Sequence, residues 1–173
     1  MIRHHDQPGP ADFELRFRAR PESLCVIRAA VRKATELAGF SEKDVNALSL
    51  AVEEALTNVI RHSYGGPCSE PIILQISRLP AAAEAPEKLE FRIRDFGRQV
   101  DPAAIRSRDL DDIRPGGLGV HIIRSIMDEV EYSCPAGGGM LLRLAKAVPA
   151  QAVPVKKALP SPSRCLRVEK PKE

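Results

Sequence analysis

A length of 173 residues favours one domain with room for a core, and a hydrophobic content of 43% excludes a wholly disordered chain. The sequence contains no run of about 18 apolar residues and no apolar signal-peptide centre near its N-terminus, so we expect a cytoplasmic protein without a transmembrane helix. The four cysteines are widely separated and include no Cys-x-x-Cys pair, which argues against a zinc site or a disulfide framework.

The net charge of +3 is unevenly distributed. Residues 147–173 carry six lysines and arginines against two glutamates, a net charge of +4, which leaves −1 for residues 1–146. A body this close to neutral is a poor match for a nucleic-acid-binding domain, so we expect no direct nucleic-acid partner. The composition after Lys146 predicts a disordered, proline-rich basic tail at 147–173, and a solvated tail is favoured over an arm that touches a partner.

The N-terminal part of the chain predicts a strand and a helix after a flexible leader at residues 1–11. The alternation of apolar and charged residues in FELRFR, residues 13–18, is typical of a half-buried strand. Pro21 begins a helix whose apolar residues recur at helical spacing until Gly39. Cys25 is interpreted as a small core residue of this helix.

Ser41 and Asp44 form a capping-box pattern that begins a second helix, and this helix runs through Ile60 and ends at Gly65-Gly66. The rest of the chain predicts four strands, one helix and their connections. The strands are expected at 72–78, 88–94, 129–134 and 140–146, the helix at 118–127, and the connections at 80–86, 95–117 (with a short helix near 102–106) and 135–139.

Glu54 and Asn58 lie four residues apart on the second helix, so their side chains share one helical face. A carboxylate can take a proton from a hydroxyl group, and a carboxamide oxygen is a hard ligand suited to Mg²⁺. Taken alone, a polar pair at this spacing is more often a solvated face. Apolar residues such as Val52 and Leu56 crowd this helix, however, so it must lie against a core where polar groups need partners.

Asp95-Phe96-Gly97 directly follows the strand at 88–94. A buried carboxylate there can accept a hydrogen bond from an exocyclic amine such as that of adenine, and it disfavours a base that presents a carbonyl instead. Gly97 permits a turn beside a ligand. Taken alone, an ordinary Asp-x-Gly turn is the more common interpretation of this motif.

A third signal, Gly116-Gly117-Leu118-Gly119, opens the helix at 118–127. Its glycines would let backbone N–H groups approach phosphates, and the helix would direct its N-terminus at the anion. An ordinary junction between a loop and a helix accounts equally well for this motif alone.

Together and in this order, the three signals resemble the histidine-kinase-like ATPases, also called Bergerat-fold ATPases, and among them the bacterial anti-sigma-factor serine kinases. The matching stretches are LAVEEALTNVIRHSYGG, FRIRDFGRQVDP and GGLGVHIIRSIMDEVEY, and the resemblance spans residues 12–146. It implies an α/β two-layer sandwich in which a mixed, mostly antiparallel sheet carries helices on one face.

The resemblance also implies ATP and Mg²⁺ as cofactors, with a role for each matching residue. Glu54 corresponds to the catalytic base, and Asn58 to the residue that binds the Mg²⁺ bridging the ATP phosphates. Asp95 corresponds to the residue that recognises adenine, and Gly97 shapes that pocket.

The glycine segment corresponds to the border of the nucleotide lid and the phosphates, which assigns nucleotide binding to Gly117, Leu118 and Gly119. Arginines in the lid could help to neutralise phosphate charge, although solvated loop arginines are the safer interpretation: Arg106, Arg108 and Arg114. Gln99 departs from the common Asp-x-Gly-x-Gly pattern; its side chain is expected to narrow the pocket or, if a positive φ is needed at this position, to disfavour it by about 1 kcal/mol.

The implied function is a regulatory serine/threonine kinase that holds a sigma factor from RNA polymerase and phosphorylates an antagonist of the anti-anti-sigma type. A homodimer is plausible by family analogy only. Gln99 motivates an alternative, an ATP-binding partner switch without useful kinase activity. The catalytic domain of a histidine kinase ranks lower, because the chain upstream is too short for phosphoacceptor helices.

Overall fold

The structure is a computed structural model that describes residues 11–82, 85–105 and 118–150. Strands and helices within these ranges follow one another in the order β1 (Phe13–Arg18), α1 (Pro21–Leu37), α2 (Glu42–Asn58), a π-helical turn (Val59–Ser63), β2 (Pro71–Leu79), β3 (Lys88–Arg94), a 3₁₀ turn (Pro102–Ala104), α3 (Leu118–Ile126), β4 (Glu129–Ser133) and β5 (Leu141–Ala147). The π-helical turn is called the π-turn below.

The five strands form one sheet in the order β1-β2-β3-β5-β4, with β3 in the centre. The predicted mostly antiparallel sheet is confirmed, and the parallel part of the expected mixed sheet is absent from the described strands, because each of their four pairings is antiparallel. Asp95 follows the last residue of β3, so the centre of the sheet supports it.

The helices cover one face of this sheet. Side chains alternate between the two faces along each strand, so the apolar residues gather on the face that the helices cover. Phe91 of β3 is fully buried, whereas its neighbour Arg92 points to the open face and is partly exposed. Burial of a large apolar side chain contributes about 1.5–3 kcal/mol. The core joins aliphatic residues from both layers, among them Val31, Leu48, Leu56, Ile72, Leu74, Ile93 and Leu144.

The predicted N-cap of α2 at Ser41 is confirmed, although Asp44 bonds to the Ser41 hydroxyl and not to the backbone N–H of a full capping box. The Ser41 Oγ accepts a hydrogen bond from the Asp44 N–H at 3.2 Å, and the Ser41 hydroxyl donates to the Asp44 carboxylate at 2.6 Å. This cap fixes where α2 begins.

The interpretation of Cys25 as a core residue is wrong. The inward positions of α1 include Ile27 and Val31, whereas Cys25 is exposed. Two residues of α-helix turn the chain by about 200°, so a position two residues before Ile27 faces solvent. The described cysteines are free thiols, as expected: Cys25, Cys68 and Cys134.

The main departure from the predicted elements is the end of the second helix, which changes to the π-turn at Val59 instead of continuing as α-helix. The predicted short helix near 102–106 is a 3₁₀ turn over Pro102–Ala104. The predicted leader at 1–11 and tail at 147–173 lie largely outside the described residues, as does the loop at 106–117. None of the described helices is both long and apolar enough to span a bilayer.

Candidate functional site

A cavity of about 240 Å³ lies between α2, the π-turn, the loop after β3 and the start of α3. Asn58, Asp95 and Gly119 all line it, so three segments distant in sequence meet at one cavity, as predicted. Two further polar side chains, His62 and Ser63, come from the π-turn. The remaining wall is apolar and suits a planar heterocycle: Ala55, Val59, Val100, Ile105, Val120, Tyr132, Met140 and Leu142.

The start of α3 lies directly against the polar pair of α2. A β-carbon placed on Gly119 would lie 2.8 Å from Glu54 Oε2 and 3.2 Å from Asn58 Nδ2, so a larger residue would displace the ends of these side chains. Asn58 lines the cavity, whereas Glu54 lies one helical turn earlier at its edge. The predicted juxtaposition of a carboxylate, a carboxamide and a glycine is present in the structure.

The π-turn brings a further residue to the same side. The Tyr64 N–H donates to the Val59 carbonyl at 3.1 Å, the five-residue spacing of a π-helix. In a regular α-helix, position 63 would lie about 140° around the axis from position 58. The wider turn instead allows Ser63 and Asn58 to line one cavity.

Asp95 is held by two hydrogen bonds to one of its oxygens. Its Oδ1 accepts from the Ser63 hydroxyl at 2.5 Å and from the Gly97 N–H at 2.9 Å. The side chain is nearly inaccessible to solvent, at 2% exposure, and it lines the cavity. The bonds to Oδ1 leave Oδ2 as the oxygen that can receive a ligand.

Tyr64 ties the π-turn to the loop that follows β3. Its hydroxyl donates to the Pro71 carbonyl at 2.7 Å and accepts from the Phe96 N–H at 2.9 Å. Burial raises the pKa of the Tyr64 phenol, which opposes loss of the proton that this first bond needs. The backbone beside Asp95 is therefore braced from two elements.

The turn before β5 closes the loop from the other side, at a glycine that the sequence motifs did not single out. Gly139 has a φ of +66°, and a β-carbon there would lie 2.1 Å from the Asp95 carbonyl oxygen. Arg94 holds this turn through the carbonyl oxygens of Gly138 and Met140, at 2.5 and 3.1 Å. The run Gly137-Gly138-Gly139, with positive φ throughout, was the available sequence signal.

The expectation that Gln99 narrows the pocket is wrong. Its side chain is exposed, donates to the Pro135 carbonyl at 3.3 Å, and is not part of the cavity lining. Within the described ranges, only glycines have a positive φ, so the expected backbone strain at position 99 is also absent. The loop turns without the second glycine of the common pattern.

The other predicted residues of the glycine segment differ in their placement. Leu118 begins α3, is 58% exposed and is not part of the cavity lining. Gly117 lies outside the described residues, as do the three lid arginines, Arg106, Arg108 and Arg114. Gly97 packs under Ser63, because a β-carbon there would lie 2.5 Å from the Ser63 carbonyl oxygen.

The donor groups suit Mg²⁺ only together with oxygens that a ligand brings. In the described part of the chain, no three His, Cys, Asp or Glu side chains come together as a metal cluster. Mg²⁺ in phosphate sites keeps several waters and takes only one or two protein ligands. The Asn58 carboxamide, with Glu54 beside it, fits this pattern of magnesium held mainly by phosphates.

Sequence comparison gives a family match and several kinase relatives. A family model described as the histidine kinase-like ATPase domain matches residues 17–146. Serine-protein kinase RsbW of Halalkalibacterium halodurans is 29% identical over 138 residues, covering 74% of this chain and 79% of that protein. Serine-protein kinase RsbW of Bacillus licheniformis is 28% identical over 131 residues, covering 73% and 81%.

Structural comparison finds the same fold at lower sequence identity. The SiaB-SiaC complex from Pseudomonas aeruginosa contains a chain that matches with a TM-score of 0.58 and 15% identity, covering 79% of this chain and 89% of that one. The RsbU and RsbW domains of a Mycobacterium tuberculosis protein match with a TM-score of 0.51 and 17% identity, covering 82% and 32%. These matches support the α/β architecture described above.

Proposed function

This chain belongs to the histidine kinase-like ATPase family, and from that premise we propose that it is an ATP-dependent serine/threonine protein kinase of a partner-switching pathway. The observation that carries the proposal is the cavity at which Asn58, Asp95 and Gly119 meet. The kinase name of the relatives supports the proposed reaction, and the relatives match most of the chain.

The cavity residues suit the two ends of ATP. Asp95 presents its carboxylate to the exocyclic amine of adenine between apolar walls. Asn58 offers its carboxamide oxygen to Mg²⁺, and Gly119 allows the phosphates to approach the N-terminus of α3. Gly117, directly before α3, is assigned to the same phosphate border.

Glu54 is the residue proposed to act on the incoming hydroxyl group. When bound, Mg²⁺ neutralises phosphate charge and holds the transferred group in position. Glu54 orients the serine or threonine hydroxyl and accepts its proton from the edge of the cavity. The neighbouring Glu53 is paired with Arg28 instead, so the two adjacent acids have different surroundings.

The proposed partners are those that the resemblance to the anti-sigma-factor serine kinases implies. An anti-anti-sigma protein is the proposed phosphate acceptor, and a sigma factor is the proposed target that the kinase holds. We place this activity in the cytoplasm and in the domain at 12–146, with 1–11 as leader and 147–173 as tail. A homodimer is part of the same proposal.

The alternative is a nucleotide-responsive switch without kinase activity. The argument for it from Gln99 no longer holds, because Gln99 is not part of the cavity lining and bonds to Pro135. The two functions differ in one measurement. Purified full-length chain is incubated with Mg²⁺, γ-labelled ATP and a candidate antagonist, and label on an antagonist serine or threonine is expected.

Asn58→Ala should abolish this labelling. Asn46→Ala is the matched control, because Asn46 lies on the same helix, is exposed and bonds to Arg32. Binding of Mg-ATP without transfer to any antagonist would favour the switch. Equal transfer by wild type and Asn58→Ala would remove Asn58 from the proposed metal site.

A further inference from the structure

We infer that Ser63 is a positioning residue that sets the base selectivity of the cavity by fixing the carboxylate of Asp95. This inference rests on the proposed nucleotide site and extends it to a residue outside the three sequence motifs. It depends on the geometry at one oxygen atom.

Both hydrogen bonds to Asp95 converge on Oδ1. The Ser63 hydroxyl donates at 2.5 Å and the Gly97 N–H at 2.9 Å, one from the π-turn and the other from the loop after β3. Within the described residues, Oδ2 receives no hydrogen bond, and Asp95 lines the cavity. A carboxylate with one oxygen fixed in this way presents the other in a single orientation.

Ser63 can fix Asp95 because Ser63 is itself held in place. Its carbonyl oxygen accepts from the Arg98 N–H at 3.0 Å, on the far side of the Asp95-Phe96-Gly97 turn. A β-carbon on Gly97 would lie only 2.5 Å from the same carbonyl oxygen, so the two backbone segments pack closely. The π-turn and the turn after β3 therefore form one unit, and the hydroxyl of Ser63 has little freedom to move.

The fixed orientation bears on which purine the cavity accepts. Adenine places an amine donor opposite an acceptor oxygen, whereas a 6-oxo purine places a carbonyl there, and two facing acceptors repel. A carboxylate free to rotate could turn away from this mismatch. Because Ser63 restrains the rotation, it increases the penalty for the wrong base as well as the affinity for the right one.

Equilibrium binding of two nucleotides tests this role without any phosphotransfer. The affinity of the full-length chain is measured for Mg-ATP and for the triphosphate of purine riboside, which lacks the 6-amine. Wild type should prefer ATP, and Ser63→Ala should reduce that preference about tenfold, the change expected on losing a hydrogen bond to a charged group. Affinity for the amine-free analogue should change little.

Two further variants separate positioning from general structure. Ser63→Thr keeps the hydroxyl and should restore the preference for ATP. Ser49→Ala, which removes a buried hydroxyl that bonds to the Val45 carbonyl elsewhere on α2, should leave it unchanged. If Ser63→Ala does not fold, Ser63→Cys replaces it with similar volume and a weaker donor.

The outcomes distinguish this inference from the proposed kinase function. An equal loss of affinity for both nucleotides in Ser63→Ala would overturn the inference, as would a wild-type chain with no preference for ATP. A wild-type chain that prefers ATP but transfers no phosphate to any antagonist, together with the predicted loss of preference in Ser63→Ala, would overturn only the kinase proposal.

Discussion

Gly119 at the start of α3 faces the carboxylate of Glu54 on α2 so closely that a side chain at position 119 would crowd it. A β-carbon on Gly119 would lie 2.8 Å from Glu54 Oε2. The glycine is required by this approach and not by its backbone conformation, since its φ is not positive. A side chain at position 119 would therefore displace the carboxylate of the proposed base.

Gly119→Ala should lower phosphotransfer while leaving the fold intact. The added methyl group displaces the carboxylate of Glu54, a flexible side-chain end, and a shift of about 1 Å at a reacting group can cost 100-fold in rate. Alanine is favoured over glycine in a helix by up to about 1 kcal/mol, which offsets the crowding. Initial rates of antagonist labelling and urea unfolding measure the two effects.

Ser125→Ala is the control for this variant, because Ser125 is exposed on the same helix and its hydroxyl donates to the Ile122 carbonyl of that helix. It should match wild type in both measurements. A Gly119→Ala protein with full activity would show that the contact with Glu54 does not determine the reaction.

Glu54→Gln should lower the rate of phosphotransfer by about 100- to 10,000-fold, the usual contribution of a positioned general base. Binding of Mg-ATP should be retained, because Glu54 does not line the cavity. Single-turnover labelling and calorimetry separate these two quantities. The matched control is Glu53→Gln, which changes the adjacent acid paired with Arg28 and should leave the rate near that of wild type.

Gly139→Ala should destabilise the protein and weaken nucleotide binding together. Its β-carbon would lie 2.1 Å from the Asp95 carbonyl oxygen, at a φ of +66°. Overpacking costs about 1–3 kcal/mol and the left-handed conformation about 1–2 kcal/mol more. Gly138→Ala provides the comparison, because its φ is +86° but a β-carbon there meets nothing within 4 Å.

The difference between these two glycine variants isolates the clash from the backbone strain. Urea unfolding and equilibrium binding of ATP should both show Gly139→Ala as the more damaged protein. Equal stability and ATP affinity in Gly139→Ala and Gly138→Ala would mean that the backbone around Asp95 shifts to accept the methyl group without changing the cavity.

Glu129 should make stability depend on acid pH. Hydrogen bonds from Lys88 and Arg143 on the open face of the sheet lower the pKa of its carboxyl below the ordinary value of 4.5. A carboxyl whose pKa is lowered in the folded state stabilises the fold at every pH above its unfolded-state pKa. This contribution is lost as the pH falls through the folded-state pKa. The groups are partly exposed, so the contribution is small.

Glu129→Gln should therefore be about 0.5–1 kcal/mol less stable than wild type at pH 7. The difference should shrink as the pH falls below 4.5, and vanish once the carboxyl of the wild type is protonated. Urea unfolding over a pH series measures it. Glu131→Gln should have a smaller effect, because that side chain is 69% exposed and lies 3.9 Å from Arg143.

The sequence predicted the elements that local chemistry determines. Alternating residues identified β1, the Ser41 cap identified the start of α2, and the three motifs identified a cavity with Asn58 and Asp95 in its lining. The family and the fold are confirmed. The strand and the cap follow from short stretches of chain, whereas the site follows only from the three motifs taken together, because each motif alone has an ordinary structural interpretation.

The features that the sequence did not predict depend on contacts between distant segments. Periodicity continued the second helix beyond Val59, but the π-turn forms where Ser63 and Tyr64 bond to the loop after β3. The environment of Gln99 likewise depends on Pro135, which lies 36 residues away. No local propensity carries that information.

Asp95 directly follows β3, the central strand of the sheet, so its end of the cavity is held by the core of the protein. The end at Gly119 is held by the nine-residue helix α3, which packs on α2. Under the proposed roles, substitutions along α3 are expected to change the rate of phosphotransfer and to leave base selectivity, which is set beside β3, unchanged.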